Sequence, residues 1–245
     1  MSAEWNQFDC KIRKMPTDKD DIPQVPAAEA GLIPPHPFSL VVVGRSGQGK
    51  SNLVSNLLNN EDFYKDYFDT IVLMAPTGKV DGMLKTLNVD EDMTITDPTP
   101  EHLEELFECM REQVEEHESI AEVEKVLLIL DDIVSCRKLL NSKEFVKCFC
   151  MNRHYNVSVI CLTQSYKLLP RSCRIQASAV AFFAGPMEEL EMLAECQSIP
   201  LLSKKETLQV ILKAVEGDGH PFLFINNKAP KGKRYRRNLD ECLGY

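Results

Sequence analysis

The sequence predicts an α/β fold, a mostly parallel central sheet with helices on both faces. Three observations predict it. Apolar runs of strand length alternate with helical patterns, as in sheets whose strands are buried on both sides. One such run, residues 38–43, passes directly into Gly44-Arg45-Ser46-Gly47-Gln48-Gly49-Lys50-Ser51. That is a complete G-x-x-x-x-G-K-[ST] phosphate-binding loop, followed by a helical pattern with Leu53, Val54, Leu57 and Leu58 on one face. A later run, residues 126–130, ends in Asp131-Asp132, the acidic partner such a loop requires.

Residues 1–35 contain Pro16, Pro23, Pro26, Pro34 and Pro35, which break regular elements. They are expected to form an extended arm, with Trp5 and Phe8 as anchors if it docks on a neighbouring subunit. The domain proper is expected over residues 36–228. Its strands are expected at 38–43, 70–74, 93–96, 126–130, 157–162, 179–183 and 222–225. Thr99-Pro100 opens a long helix with Leu103, Leu106, Phe107, Met110 and Val114 on one face and acids on the other. Residues 142–151 read as a second helix. Ser203-Lys204-Lys205-Glu206 is a capping box that starts a third, with Leu208, Ile211, Leu212 and Val215 at helical spacing. Residues 229–245 read as a basic tail.

Composition narrows the class. Apolar residues make up 44% of the 245, enough for a large core. No run is long and apolar enough to span a bilayer, and the first residues lack signal-peptide character, so a soluble intracellular protein is expected. The nine cysteines are scattered and several sit in apolar runs, as reduced core cysteines do. Cys148 and Cys150 have no second pair at zinc spacing. The net charge of −9 argues against general nucleic-acid binding, but Lys228, Lys231, Lys233, Arg234, Arg236 and Arg237 cluster around Tyr235. This cluster is open to three readings: contact with nucleic-acid phosphates, contact with a partner protein, or a solvated tail.

The loop assigns Gly44, Arg45, Ser46, Gly47, Gln48, Gly49, Lys50, Ser51 and Asn52 to nucleotide binding. Backbone N–H groups and the helix N-terminus cradle phosphates. Lys50 places a charge on the β/γ-phosphates, and the Ser51 hydroxyl and Asp131 hold Mg²⁺. Asp132 accepts a proton from the attacking water or orients it. Gln164 ends the 157–162 strand region and would lie beside the γ-phosphate, because parallel strands bring their C-terminal ends together. Arg153, Arg171 and Arg174 are candidates for a finger that reaches a neighbour's phosphate. Asn227-Lys228-Ala229-Pro230 lacks the Asp of a guanine-reading motif, so ATP is the expected nucleotide. Between Lys50 and Asp131 lies at least one further strand, which points to an additional strand separating the two nucleotide-binding strands.

Taken together, the loop, the inserted strand, Asp131-Asp132, Arg153-His154 and Thr163-Gln164 resemble the FtsK–HerA group of DNA-pumping ATPases. The small size resembles the genome-packaging ATPases of poxviruses, giant viruses and virophages. The resemblance covers residues 36–228. It implies a RecA-like P-loop NTPase core of the additional-strand (ASCE) type and a homomeric ring, often hexameric. It also implies ATP-driven movement of double-stranded DNA into a preformed capsid, with a capsid vertex protein as partner. The setting it implies is the viral factory of the host cytoplasm or the virion. Two departures stand out: Asp132 replaces the usual Glu, and neither a membrane anchor nor a DNA-sequence-reading domain is evident. The competing reading is a nucleotide-dependent switch or assembly scaffold with little turnover.

Overall fold

The computed structural model describes residues 22–76, 87, 89 and 91–245. Along the chain these form α1 (Pro26–Glu29), β1 (Ser39–Val43), α2 (Lys50–Asn59), β2 (Thr70–Met74), β3 (Thr94–Ile95) and α3 (Pro100–Glu116). Then follow β4 (Val126–Asp131), α4 (Arg137–Leu140), α5 (Lys143–Cys150), β5 (Val157–Thr163), α6 (Arg171–Gln176) and β6 (Ala179–Phe183). The last elements are α7 (Met187–Cys196), α8 (Lys204–Ala214), β7 (Phe222–Asn226), β8 (Tyr235–Arg237) and β9 (Glu241–Cys242).

Among the described residues the strands make one nine-stranded sheet in the order β3-β2-β4-β5-β1-β6-β7-β8-β9. Pairing is parallel from β3 through β6 and antiparallel from β6 to β9. The strand separating β1 from β4 is β5. It follows both in sequence, whereas β2 and β3, the strands lying between Lys50 and Asp131, are at the outer edge. The expected insertion is therefore present but made by a different strand.

Alternation along each strand divides the core in two. Leu40 and Val42 of β1, with Leu127 and Ile129 of β4, meet Leu53, Val54 and Leu57 of α2. Val41 and Val43, with Leu128 and Leu130, meet Leu103 and Phe107 of α3, Phe145 of α5, Leu193 of α7 and Ile211 of α8. Helices therefore cover both faces, which is why these strands are apolar at every position. The expected helix starts hold: Ser203 Oγ accepts from the Glu206 N–H at 3.3 Å while the Glu206 carboxylate accepts from the Ser203 N–H at 2.8 Å. Burial raises the thiols of Cys148, Cys161 and Cys173 well above the ordinary cysteine range, so these are inert core groups.

Both termini of the domain differ from expectation. The Trp5 and Phe8 anchors lie outside the described residues. From Ile22 onward, however, the predicted arm packs on its own chain: Ile22, Val25, Ala27, Ala28 and Ile33 are buried. Gln24 bonds the His36 backbone on both sides, at 2.9 and 2.7 Å. Pro26 stands in the first turn of α1, where its missing N–H costs nothing. The predicted tail forms β8 and β9, with Tyr235 buried against α7–α8. Backbone pairing to β7, not side-chain pattern, makes this basic segment a strand. No helix among the described residues is long and apolar enough to cross a membrane.

Candidate nucleotide site

Register fixes the site. β1, β5 and β4 end level with one another, Val43 opposite Thr163 and Asp131 opposite Leu162. The segments leaving these strands therefore meet on one rim. The Gly44 N–H donates to the Thr163 carbonyl at 3.1 Å, tying the glycine loop to the end of β5. A Cβ on Gly44 would sit 2.9 Å from the Phe183 Cβ, so only glycine allows this approach of β6. Gly47 and Gly49 have φ of 78° and 96°, and Gly49 caps α2. Lys50 Nζ donates to the carbonyls of Gly44 at 2.8 Å and Arg45 at 3.2 Å. The ammonium thus already spans the mouth of the loop, where phosphate oxygens would compete for it.

Across the inserted strand, Asp131 is the last residue of β4. Asp132 follows at φ 51°, a left-handed conformation that costs a non-glycine residue about 1–3 kcal/mol. Its N–H donates to the Leu162 carbonyl at 3.1 Å, and its Oδ2 accepts from Gln164 Nε2 at 3.2 Å. Its Oδ1 is buried and has no hydrogen-bond partner among the described residues. A shielded carboxylate oxygen left unpaired beside an exposed amide is a position prepared for a water or a cation. The structure thus brings Lys50, Asp131, Asp132 and Gln164 to one rim, as the sequence predicts.

The three arginines separate. Arg174 is 8% exposed, its guanidinium 5.7 Å from the Tyr166 ring centroid and its Nη1 3.7 Å from the Cys196 sulfur. A side chain sealed between α6 and α7 cannot reach another subunit, so Arg174 is not a finger. Arg171 is exposed in the first turn of α6. Arg153 is exposed on the short turn Asn152–His154 that precedes β5, at the opposite rim of the sheet.

A cavity of about 440 Å³ opens beside the loop, on the β6–β7 side of β1. Gln48, Gly49 and Asn52 form one wall, His220 and Asn238 another, and Phe183 and Phe222, 5.0 Å apart, the floor. The sequence reading missed this half of the site because β8 looked like a tail. The turn residues Gly217-Asp218-Gly219 ahead of β7 were the available signal. A cavity of similar size, about 460 Å³, lies between α8 and the end of the chain, lined by Lys213 and Arg237, away from the loop.

A profile of the family described as Poxvirus A32 protein matches residues 31–234. The chain belongs to that family. This agrees with the resemblance to packaging ATPases of the FtsK–HerA type. Uncharacterized protein 075L of Invertebrate iridescent virus 6 is 25% identical over 190 residues, which are 78% of this chain and 70% of that protein. The fold is similar to the genome packaging NTPase B204 of Sulfolobus turreted icosahedral virus 2 in complex with AMP. That match has a TM-score of 0.59 and 15% identity over 82% of this chain and 96% of that one. It is also similar to the cytoplasmic domain of the type VII secretion ATPase EccC of Thermomonospora curvata. Here the TM-score is 0.53 and the identity 13%, over 91% of this chain and 28% of that one.

Proposed function

We propose that this A32-family protein is an ATPase that drives double-stranded DNA into a preformed viral capsid, working as a homomeric ring. The observation that carries the reading is the shared rim: a phosphate loop on β1 faces an acid–amide pair, Asp132–Gln164, across one inserted strand. A nucleotide lying on this rim has its γ-phosphate toward β5 and β4 and its base toward the cavity floored by Phe183 and Phe222. The loop N–H groups and Lys50 hold the phosphates. Asp132 aligns and deprotonates the attacking water, and Gln164 fixes the Asp132 carboxylate while facing the same water.

The donor set suits magnesium. Among the described residues no cluster of three ionisable ligands exists, but Ser51 and Asp131 offer a hydroxyl and a carboxylate. Magnesium is held in this way, by one or two protein oxygens plus phosphate and water. When bound it neutralises charge on the phosphates. Exposed Arg153 and Arg171 remain the finger candidates toward a neighbouring subunit's phosphate. Named relatives support the setting: B204 is described as a genome packaging NTPase, and the profile is a poxvirus family. The corresponding partners are duplex DNA and a capsid vertex protein, in the host cytoplasm or the virion.

The experiment is steady-state ATP hydrolysis with and without long duplex DNA, with Lys50→Ala as blank. Stimulation by duplex that disappears in the variant is expected. Hydrolysis indifferent to DNA of every length would end the motor reading in favour of a nucleotide switch, which the net charge of −9 favours.

A further inference from the structure

Gln164 is exposed, and its side chain makes one hydrogen bond, the 3.2 Å contact with Asp132. A long amide can serve the attacking water only if its backbone is held, because a displacement of about 1 Å already costs rate. The chain leaving β5 is held from three sides. Thr163 Oγ1 accepts from the Ser165 N–H at 3.2 Å and donates to the Ser165 carbonyl at 3.1 Å, which pinches the backbone around Gln164. Tyr166, fully buried, anchors the next turn in the core against Phe182. The third hold is Glu189. Its Oε1 accepts from the Ser165 hydroxyl at 2.5 Å and its Oε2 from the Lys167 N–H at 3.0 Å. Ser165 Oγ in turn accepts from the Leu168 N–H at 3.3 Å.

Glu189 lies in the first turn of α7, the helix that follows β6. β5 and β6 flank β1 on its two sides, so the bond from Ser165 to Glu189 crosses the end of β1. α2 packs on one face of the sheet through Leu53 and Leu57, and α7 on the other through Leu190 and Leu193. The strand that carries the phosphate loop is therefore continued by α2 on one face and bridged by Glu189 on the other. The adjacent acid behaves differently. Glu188 pairs with the Lys167 ammonium at 3.1 Å, and both side chains are exposed. Half-buried Glu189 pairs with no cation among the described residues and gives both oxygens to a hydroxyl and a main-chain N–H. Such charge-assisted bonds are short and directional, and the positive end of α7 favours the carboxylate there.

We propose that Glu189 is a positioning residue for hydrolysis, fixing the exit of β5 so that Gln164 faces Asp132 and the attacking water. Glu189 acts through Ser165 and the Lys167 N–H and touches neither the nucleotide nor the water. The proposal rests on the ATPase reading and names what keeps the amide in place.

The test is steady-state ATP hydrolysis by the full chain, with kcat and KM separated. The proteins compared are the wild type, Glu189→Ala, Glu189→Gln, Glu188→Ala, Gln164→Ala and the double variant Gln164→Ala/Glu189→Ala. Glu189→Ala should lower kcat about five-fold, within the loss from Gln164→Ala, and leave KM for ATP unchanged, since the phosphate loop is intact. In the Gln164→Ala background the same change should cost less than about two-fold, because the group it positions is gone. Glu189→Gln keeps an acceptor for the Lys167 N–H and offers a donor to Ser165 Oγ, so it should retain most of the turnover. Glu188→Ala removes only a surface pair and should change nothing. An unchanged kcat in Glu189→Ala would overturn the proposal. So would a loss repeated in full in the Gln164→Ala background, because Glu189 would then act independently of the amide. A raised KM with kcat intact would also overturn it, by making Glu189 a support of the phosphate loop. If the wild type hydrolyses no ATP, the ATPase reading falls and the proposal with it, whereas wild-type turnover without this coupling removes the proposal alone.

Discussion

The two ends of β5 carry the same kinds of polar residue and treat them in opposite ways. Before its first residue stands Asn156, left-handed at φ 55° and buried; after its last come Gln164 and, alongside, Asp132, left-handed at φ 51°. At the first end every group is answered. Asn156 Nδ2 donates to the Val123 and Glu124 carbonyls, so its Oδ1 is the acceptor for His36 Nε2–H at 2.9 Å. That fixes the tautomer, and His36 Nδ1 accepts from the Ser158 hydroxyl at 2.7 Å, whose oxygen accepts from the Phe38 N–H. Asn152 closes the set by donating to the Phe38 and Val157 carbonyls. At the second end the circuit is left open at Asp132 Oδ1. Closure suits a polar cluster that holds the fold together, and the open oxygen beside the exposed Gln164 amide suits one that meets a ligand.

Substitutions at the two ends sharpen the contrast. Asp132→Asn should lower ATP turnover by about a hundred-fold or more. It should leave the melting temperature unchanged or higher, because a buried unpaired carboxylate oxygen is costly. A loss of folding in parallel with activity would break the contrast. Asn156→Ala should do the reverse. It forces alanine into a left-handed turn and strands the His36 N–H and two carbonyls, costing about 2–3 kcal/mol in urea denaturation. Turnover per folded molecule should hold.

Acid probes the closed end through His36. Burial is the main cause that lowers His36 from 6.5 to about 4; the Asn156 bond opposes it. The folded state therefore favours the neutral ring. Its contribution is complete above pH 6.5 and is lost as pH falls toward 4, amounting to about 2 kcal/mol by pH 5. Denaturation midpoints at pH 7 and pH 5 measure it, and His36→Gln should flatten the difference. The smallest effect is expected at Gln164. Its removal leaves Asp132 in place but unaligned, so Gln164→Ala should reduce turnover about ten-fold without touching stability. A loss as large as that of Asp132→Asn would make the amide a principal group.

The parallel half of the sheet was readable in advance because its strands are apolar on both faces and its loops carry compact motifs. Residues 44–51, Asp131-Asp132 and Gln164 follow from pattern and from the rule that parallel strands finish together. What escaped depends on distant partners. Tyr235-Arg236-Arg237 is a strand only because β7 offers a free edge, and its composition resembles a solvated tail. Residues 22–35 read as proline-broken, yet Val25, Ala27 and Ile33 find the α2 side of the sheet. Arg174 read as a candidate finger, but Tyr166 and Cys196 close over it.

β7 is five residues long and spans the sheet from rim to rim. Phe222 begins it on the floor of the cavity beside the phosphate loop, and Asn227-Lys228 leave its other end at the cationic turn. An extended strand neither stretches nor folds along its axis, and at about 3.4 Å per residue this one is about 17 Å long. It is a push-rod without slack: a nucleotide that shifts Phe222 lengthwise must shift Lys228 by the same amount or break the ladder to β6.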